Sequence, residues 1–410
     1  MEYDVIVIGG GAAGMMAAGQ AARRGKKVLL LERNRRLGEK LRITGGTRGN
    51  ITNAEKNIRV LLSKYGEAEQ ALYSSFSEFG VKETFEFFES RGLPLKVEAN
   101  NRAFPQTEKA LDVVKVLEDD MKKVGVRMLL GTGVTRIDSK SGRITGVAVK
   151  DKVYTARNYI LATGGMSHPE TGSTGDGFKW LQGFGHMVEA PTPTIVPLKV
   201  REGWVKKLSG AKAEGAKITF SLPSGKKLSR TGSILFTHFG ISGPTVLNAA
   251  GQVADMLQES AVTARIDLYP SMDLGILDKH IAKVFDAHKN KNLKNVFREL
   301  VPPGTSEILL EQIPTVDKET KVHSVRKEDR RVIAELLKGL TFTVTGLMGF
   351  ERAVVADGGL ILREVDMRTM RSKKFENLYV TGDLLHITRP SGGYSLQLCW
   401  TTGYVAGNSV

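Results

Sequence analysis

Three glycines near the start of the chain have the spacing of a nucleotide-binding turn. Gly9, Gly11 and Gly14 follow the apolar run 5–8 and precede a small-residue helical segment. The first glycine allows a tight turn, the second lets backbone approach a pyrophosphate, and the third lets the helix pack close to the strand. Free N–H groups at a helix start favour phosphate. The predicted phosphate-binding residues are Gly9, Gly11, Ala12, Ala13 and Gly14.

A carboxylate stands at the end of the second predicted strand, which covers 27–31. Glu32 lies 23 residues after Gly9, where an acid accepts hydrogen bonds from ribose hydroxyls. A glycine-rich turn without a ligand is the alternative, because the glycine spacing alone is weak evidence. Here the strand, turn, helix, second strand and acid occur in the order that the fingerprint requires. The acid favours FAD or NAD over NADP.

Composition sets limits on the class of protein. The chain has 410 residues, 41% of them hydrophobic, which suggests two or three domains. The single cysteine, Cys399, excludes an intrachain disulfide and a redox-active cysteine pair, and it favours the cytoplasm. No apolar run approaches the ~20 residues of a membrane span. We expect no signal peptide, no membrane contact and no metal site.

The net charge of +15 allows anionic partners. The densest basic stretch is 20–50, with ten lysines and arginines against Glu32 and Glu39. This stretch lies beside the predicted phosphate site, so one interpretation is a solvated basic surface around an anionic cofactor. A nucleic-acid groove is the other, and it is disfavoured because aromatic interleaving and a recognisable binding module are absent.

Polar loops and small residues follow several predicted strands. The stretch 33–53 has no regular period and is rich in glycine, amide and hydroxyl groups, which suits a loop that lies along a cofactor. The strand 159–161 runs into Ala162-Thr-Gly-Gly165, whose small residues let the chain pass close to a cofactor. The strand 378–380 leads to Gly382-Asp383, and a last helix opens near Gly392.

These motifs together resemble a bacterial flavoprotein family, the aminoacetone oxidase-like group of NAD(P)/FAD-dependent oxidoreductases. The resemblance rests on the fingerprint and on the segments 48–53 and 236–244, and it extends over most of the chain. Members have been linked to amine oxidation and to reduction of dehydro bile acids. The family loop usually reads Gly-Gly-Gly-Arg-Cys-Asn. Thr47 replaces the third glycine here and Gly49 the cysteine, so a role that needs the thiol is lost or moved.

The resemblance implies FAD as the bound cofactor. In such flavoproteins the Ala-Thr-Gly-Gly turn is a second FAD fingerprint, the Gly-Asp pair holds the ribityl or phosphate end, and backbone near Val134 contacts the adenine. The start of the last helix would face the flavin and favour negative charge on the reduced ring. The remaining predicted cofactor-binding residues are Glu32, Arg33, Gly38, Lys40, Thr44, Gly45, Gly46, Arg48, Asn50, Asn53, Val134, Ala162, Thr163, Gly164, Gly165, Gly382, Asp383, Gly392, Gly393, Tyr394, Ser395 and Gln397.

Two residues in the loop between Asp383 and Gly392 are candidates for catalysis. His386 and Arg389 replace an acid-containing stretch of the family, and a loop tied to FAD at both ends would pass near the active-site mouth. Histidine exchanges protons near neutral pH. An arginine could hold a substrate carboxylate or stabilise charge on reduced flavin. We expect alanine variants of both to keep FAD but slow flavin reduction. The alternative is a solvent-facing loop.

Other proton donors are possible. His238 lies in the segment 236–244, which could face substrate or could be a turn that docks an inserted domain. If the loop after Asp383 is a bystander, the donor would be sought at His168, His238 or Tyr394.

The predicted fold is α/β, with a doubly wound FAD-binding domain of the glutathione-reductase-like type. It is built from 1–190 and 340–410. Three prolines in 190–197 mark a boundary, and the inserted domain covers 191–339. Its first part, 191–272, reads as a small antiparallel sheet or barrel, and its second part, 273–339, reads as mainly helical.

Three functions fit these features. The first is an FAD-dependent oxidoreductase that moves a hydride between a small organic substrate and flavin N5, with NAD(P)H or O₂ as the second redox partner. No second Gly-x-Gly-x-x-Gly is present, so NADH or NADPH would bind transiently. The second is an FAD-dependent RNA-modifying or RNA-binding protein, which would show steep salt dependence. The third is a flavin-binding regulatory protein without turnover. The sequence specifies neither the substrate nor the oligomeric state.

Overall fold

The protein is described from a computed structural model that covers residues 2–410. Packing divides it into two compact units, one of Met1–Thr192 with Val354–Val410 and one of Pro193–Ala353. The assignment of a separate role to each of the predicted domains stays a prediction.

The first part of the chain alternates strands and helices. The elements that begin before residue 193 are β1 (Tyr3–Ile8), α1 (Ala12–Arg23), β2 (Val28–Leu31), α2 (Glu39–Arg42), β3 (Thr52–Asn53), α3 (Ile58–Leu62), α4 (Glu69–Glu78), α5 (Val81–Glu89), β4 (Leu95–Glu98), β5 (Arg102–Pro105), α6 (Ala110–Lys123), β6 (Arg127–Leu129), β7 (Arg136–Lys140), β8 (Arg143–Val149), β9 (Lys152–Tyr154), β10 (Ala156–Leu161), α7 (Asp176–Gly183) and β11 (Val188–Ile195).

The remaining elements form the second unit and then return to the first. They are β12 (Leu198–Val200), α8 (Gly203–Lys207), β13 (Lys212–Ser221), β14 (Lys227–Thr237), β15 (Gly240–Ser242), α9 (Pro244–Leu247), α10 (Ala250–Glu259), β16 (Val262–Asp267), α11 (Leu274–Ala287), α12 (Leu293–Val296), α13 (Ser306–Leu310), α14 (Lys327–Leu337), β17 (Leu340–Leu347), β18 (Val355–Leu360), β19 (Val365–Asp366), β20 (Arg371–Ser372), β21 (Leu378–Val380) and α15 (Tyr394–Ser409).

A seven-stranded sheet forms the centre of the first unit, in the order β19-β20-β21-β10-β1-β2-β6. The five strands from β21 to β6 are parallel. Their short apolar runs are buried, because both faces of a parallel sheet are covered. The carboxyl ends of β1, β10, β21 and β2 therefore meet at one edge, where ligands of open α/β sheets bind. The predicted α/β fold class is confirmed.

The last helix packs along the first one through two glycines. A Cβ at Gly403 would overlap the carbonyl oxygen of Ala13, and one at Gly407 would overlap that of Ala17. These glycines are four residues apart, so they lie on one face of α15. This close packing brings the C-terminal motifs to the N-terminal turn.

The stretch 57–93 has helical periodicity in the sequence and forms three helices, α3, α4 and α5. Gly66 has φ +55° in a 3₁₀ turn between α3 and α4, a backbone conformation that favours glycine. Phe79 is extended and Gly80 caps α5. Of the aromatic residues expected in the core, Phe76, Phe79 and Phe88 are buried, and Phe85 is half-buried against them.

The second unit contains a closed barrel in the order β12-β15-β14-β13-β16-β17. Inward residues such as Ile218, Phe220 and Phe342 fill it. The strand β17, which the sequence places in the returning domain, pairs with β12 and β16 and completes the barrel. A sequence pattern does not reveal that β17 pairs with β12, because these two strands are over 140 residues apart in the chain.

A buried histidine connects α7 with the returning chain of the first unit. His186 Nδ1 lies 2.6 Å from Glu364 Oε2, and its Nε2 lies 3.0 Å from Ser372 Oγ. Backbone N–H groups of Lys374 and Phe375 donate to the same serine oxygen. Burial lowers the pKa of His186, although Glu364 opposes the change. The network resembles a catalytic triad in outline, but all three side chains are buried.

We expect His186 to make the first unit acid-sensitive. Its folded-state pKa is depressed, so the unfolded chain binds a proton first, and stability falls as pH drops below about 6.5. The free energy of unfolding of the wild type, measured with urea at a series of pH values above and below about 6.5, should fall as the pH is lowered. A control histidine, His238→Gln, should keep the same pH profile. The expectation is wrong if His186→Gln, which has no titratable group at this position, loses stability in the same window.

Candidate functional site

The glycine turn after β1 has the geometry of a phosphate cradle. Gly9 has φ +110°, and a Cβ there would lie against the carbonyl of Ala162. A Cβ at Gly14 would overlap the carbonyl oxygen of Gly9, so α1 packs against the turn only because residue 14 is glycine. A Cβ at Gly11, by contrast, meets no atom within 4 Å. The middle glycine therefore borders open space at the start of α1.

Glu32 is held in place at the end of β2. Its Oε2 accepts from the N–H of Gly10 at 2.6 Å and its Oε1 from the N–H of Asn34 at 2.7 Å. Burial raises the pKa of Glu32, and these two N–H groups oppose the rise. The backbone N–H of Thr132 donates to Glu32 O at 2.7 Å, which places the predicted adenine contact, Val134, two residues from this bond.

The side chains after Glu32 fasten a second loop. Arg33 donates to Thr174 Oγ1 at 2.6 Å and lies 3.0 Å from Asp176 Oδ2. Asn34 Nδ2 donates to the carbonyl of Thr171 at 2.9 Å. The segment 167–176, which follows the Ala162–Gly165 turn, is thus tied to the end of β2.

The Ala162–Gly165 turn is tightly packed on two sides. A Cβ at Gly165 would lie 3.2 Å from the carbonyl oxygen of Asp383, and Gly164 has φ +73° beside Ser173. Thr163 Oγ1 is buried and has no hydrogen-bond partner among residues 2–410. Gly382 lies close to Ala13, since its Cβ would be 3.1 Å from that side chain. The predicted motifs at the ends of β1, β10 and β21 therefore meet.

A charged cluster, the Lys40–Asp383–Arg389 cluster, lies where these motifs meet. The guanidinium of Arg389 is an ion-pair partner of Asp383 Oδ1, and Lys40 Nζ lies 3.9 Å from Asp383 Oδ2. Lys40 also donates to Ser167 Oγ at 3.0 Å. Burial lowers the pKa of Lys40, and the Asp383 carboxylate opposes this. One carboxylate is thus shared by two cations, which leaves excess positive charge.

The side chain of Arg389 is almost completely buried. Its side chain is 1% exposed, and it donates to Ser395 Oγ at 3.0 Å and to the carbonyl of Ile387 at 2.5 Å. These contacts, together with Asp383, engage all three nitrogens of the guanidinium. The predicted contact of Arg389 with a substrate carboxylate or with the reduced flavin stays a prediction.

The first turn of α15 is fixed to the loop after α2. With its amide oriented so that both ends are satisfied, Asn50 accepts from the N–H of Gly393 at 2.9 Å and donates to the carbonyls of Ala103 and Thr52. Asn53 Nδ2 donates to the carbonyl of Gly392 at 3.3 Å. Gly393 has φ +103°, and a Cβ there would collide with Thr52 backbone. The two asparagines hold this helix start rather than pointing away from it.

Three predicted cofactor contacts have partners elsewhere in the first unit. Gln397 is fully buried and bonds to Thr52, Thr84 and Thr401. Arg48 pairs with Glu98 and Glu108 and stacks on Phe104. Thr44 Oγ1 donates to the carbonyl of Leu41. Arg48 Nε is nevertheless buried without a partner among the described residues, and the cofactor contacts of these three residues stay predictions.

Thr47 and its glycine neighbours form a left-handed stretch. Gly45, Gly46, Thr47 and Gly49 all have positive φ, with Thr47 at +69°. A β-branched residue is strained in this conformation, which agrees with the family's glycine at this position. Gly38, with φ +66°, caps α2.

The candidate proton donors occupy different environments. His386 is half-buried, and its Nδ1 has no partner in the part of the chain that the structure describes. His168 lies 2.8 Å from Glu170. Tyr394 stacks edge-on against Tyr65 at 5.9 Å, and burial raises its pKa. His238 is exposed in the second unit, beside Phe239.

Sequence reasoning missed several residues of this site. Ser167, which accepts from Lys40, and Ser173, which lies beside Gly164, were not among the predicted residues. The glycine- and hydroxyl-rich stretch around them is a signal that could have found them. Cys399 lies behind Gly382, where burial raises the pKa of its thiol to about 12. The spacing of Gly403 and Gly407 was a readable signal for close helix packing.

The parallel sheet, the glycine turn and the acid after β2 define a Rossmann-type dinucleotide-binding protein. A family model described as HI0933-like protein Rossmann domain matches residues 3–409. The chain belongs to this family, and it is an FAD-dependent oxidoreductase. The predicted family, enzyme class and cofactor are thereby confirmed.

Two curated relatives cover nearly the whole chain. It is 30% identical over 394 residues to 3-dehydro-bile acid delta(4,6)-reductase of Clostridium scindens, which covers 93% of this chain and 92% of that protein. It is 27% identical over 386 residues to ribosomal RNA dihydrouridine synthase of Haemophilus influenzae, with the same two coverages.

A solved structure shares the fold. The 3-ketosteroid-delta4-(5alpha)-dehydrogenase of Rhodococcus jostii RHA1 matches with a TM-score of 0.53 at 16% identity, covering 99% of this chain and 96% of that one.

The residues present fit FAD. Open space at Gly11, the fixed carboxylate of Glu32 and the unpaired hydroxyl of Thr163 are features that a nucleotide with a pyrophosphate and hydroxyl groups would use. Among residues 2–410, no group of histidine, cysteine and acidic side chains could hold a metal ion. None of the described helices combines the length and apolarity needed to cross a bilayer.

Proposed function

We propose that the protein reduces a carbon–carbon double bond conjugated to a carbonyl group in a small organic substrate, with NAD(P)H as the electron donor. One observation carries the proposal: both named relatives saturate such a bond, although their substrates differ greatly in size. A 4,6-diene next to a 3-oxo group and the uracil ring share this unit. The alignments with both relatives cover more than nine-tenths of the chain, which supports extending the type of reaction to this protein.

The reaction needs a hydride at one carbon and a proton at the other. FAD supplies the hydride chemistry at N5 when it is bound. The cradle at Gly9–Gly14 would hold its pyrophosphate, and Glu32 its ribose. The chain's remaining task is to orient the substrate, exclude water and deliver the proton.

The Lys40–Asp383–Arg389 cluster would favour the reduced cofactor. It carries two cations against one carboxylate and lies at the first turn of α15, whose N-terminus is also positive. Positive charge in a partly desolvated site stabilises an anion more strongly than it does in water. Arg389 would act through Asp383 and Ser395 rather than by touching the substrate.

His386 would deliver the proton. Its Nδ1 is buried without a partner among the described residues, while its main-chain N–H donates to the carbonyl of Leu360. The backbone is therefore held in place, and the ring nitrogen Nδ1 is not engaged by another described residue. A proton donor needs a ring nitrogen that can hydrogen-bond to a substrate atom.

His386→Ala should keep FAD but slow substrate reduction, by about 10²-fold or more if the histidine is the general acid. Stopped-flow oxidation of pre-reduced enzyme by a conjugated enone measures the step. His168→Ala is the matched control, because that ring is already paired with Glu170. If His386→Ala reduces the substrate at the wild-type rate, His386 is not the proton donor, and Tyr394 becomes the next candidate.

The central test is anaerobic. Purified holoenzyme is titrated with NADH and with NADPH, and the bleached flavin is then mixed with steroid enones, dienones and amines. Reoxidation by an enone with formation of the saturated ketone supports the proposal. Reoxidation by O₂ alone after reduction by an amine would make the protein an oxidase.

A second candidate is reduction of uridine in RNA. The observation that favours it is the net charge of +15, together with the similarity to the ribosomal RNA dihydrouridine synthase of Haemophilus influenzae. Incubation of reduced holoenzyme with uridine-rich RNA, followed by nucleoside mass analysis for dihydrouridine, separates this from the small-molecule reaction.

A further inference from the structure

The outer face of four barrel strands in the second unit carries hydroxyls and cations in register. Paired residues in antiparallel strands point to the same side of the sheet. Inward rows are apolar, as in the row that joins Phe220, Ala264 and Phe342. We call the opposite side the hydroxyl–cation face. Its rows are Ser229–Thr219–Arg265–Thr341, Lys227–Ser221–Thr263–Thr343 and Thr231–Lys217–Asp267.

The face is positively charged because its one acid is neutralised. Lys338 Nζ lies 2.6 Å from Asp267 Oδ2. Lys217, Lys227 and Arg265 are exposed and make no ion pair within the described residues. The net charge of the hydroxyl–cation face is therefore positive.

The surrounding sequence adds to this charge. Residues 199–230, which span β12 to the start of β14, contain nine lysines and arginines against Glu202 and Glu214. In chain position this segment is separate from the basic stretch 20–50. The charge of the protein is therefore concentrated in two segments, only one of which neighbours the cofactor motifs.

The chemistry of the face matches a sugar–phosphate backbone. Lysine, arginine, serine and threonine are the side chains that contact phosphate oxygens in nucleic-acid complexes. Adjacent strands are about 4.8 Å apart, so four strands present a track about 14 Å wide. The large exposed apolar residues of the second unit, Leu274 and Ile276, lie on α11 and not on this face. A membrane-inserting surface would need apolar groups here.

We propose that the hydroxyl–cation face binds the phosphate backbone of RNA. This inference rests on the second candidate function, because an RNA substrate would need a docking surface in addition to the cofactor site. Hydroxyl pairs such as Thr219 Oγ1 and Ser229 Oγ, 2.8 Å apart, would accept or donate beside each lysine contact. The face positions the polymer without reading its sequence.

The test removes two cations from the face of the full-length holoenzyme. A fluorescein-labelled, uridine-rich RNA stem–loop is titrated at several salt concentrations with the wild type and with Lys217→Gln/Lys227→Gln. Each lost phosphate contact lowers the slope of log affinity against log salt by about one. The double variant should therefore lose about two from the slope and bind more weakly at every salt concentration.

The matched control is Lys279→Gln/Lys283→Gln on α11, which removes two exposed lysines from the same unit. It should keep the wild-type slope. The proposal is overturned if the wild type does not bind RNA, if both double variants change equally, or if the face variant binds like the wild type. Binding to phosphatidylglycerol vesicles in place of RNA would also overturn it.

The same preparations are assayed for flavin reduction by NAD(P)H and for enone reduction. Both should be unchanged in the face variant, because these residues lie in a different unit from the cofactor motifs. Loss of RNA binding with intact enone reduction leaves the reductase proposal standing. RNA binding without any double-bond reduction refutes the reductase proposal and leaves the face intact.

Discussion

Gly11→Val abolishes FAD binding and leaves the chain folded. The backbone at Gly11 has φ −81°, which valine adopts without strain. A Cβ there meets no protein atom within 4 Å, so the protein alone tolerates the side chain. The same space is where a pyrophosphate must approach the backbone. Flavin content by absorbance should fall at least about tenfold, since a displaced pyrophosphate costs more than about 1.4 kcal/mol.

Gly14→Ala is the contrasting variant. Its methyl group would overlap the carbonyl oxygen of Gly9, so it should destabilise the protein by about 1–3 kcal/mol through strain. Urea unfolding of both apoproteins separates loss of the ligand site from loss of the fold. Full flavin occupancy in Gly11→Val would show that the cradle lies elsewhere.

Local signals were sufficient for the centre of the first unit. The apolar runs of β1 and β2, the glycine spacing and Glu32 are consecutive in the chain, and each has a direct physical meaning. The turns after β10 and β21 were predicted from their small residues and from the resemblance to the flavoprotein family, and the parallel sheet explains why they meet, because parallel strands bring their carboxyl ends to one edge. The fold class needed no more than this.

Side-chain partners across long sequence separations were not predictable. Gln397 looked like a cofactor contact because it follows the helix start, yet Thr52 and Thr84 occupy its amide. Arg48 was predicted to contact the cofactor because it lies in a glycine-rich loop, yet Glu98 and Glu108 form ion pairs with it. A polar residue in a motif can face the ligand or support the motif, and only the three-dimensional neighbours decide which.

The strand β17 shows the same limit for the fold. The alternating pattern of Leu340–Leu347 is typical of a strand, but such a pattern does not show which sheet the strand joins. Barrel closure, which removes exposed sheet edges, supplies the reason for its place beside β12 and β16.

Arg389→Ala should destabilise the protein by about 3 kcal/mol, because it empties a fully buried position and breaks a charge-assisted hydrogen bond to Asp383. Asp383 would keep only Lys40, at 3.9 Å, and the bonds of Arg389 to Ser395 and Ile387 would be lost. The cost falls at the low end of the range for buried pairs because the Asp383 side chain is 18% exposed. Urea unfolding of the apoprotein measures it.

A double-mutant cycle separates the ion pair from simple loss of packing. Asp383→Asn also removes the carboxylate that Lys40 faces, so the cycle includes Asp383→Asn alone as well as Arg389→Ala/Asp383→Asn. The coupling energy between Arg389 and Asp383 should be at least about 1 kcal/mol. Arg24→Ala, at an exposed arginine, should cost less than about 0.5 kcal/mol. If this coupling energy is near zero, Arg389 acts through packing and not through its charge. The sequence-based expectation of slower flavin reduction would then have to come from a shifted loop, and Arg389→Lys, which keeps the charge but not the planar fork, would not restore the rate.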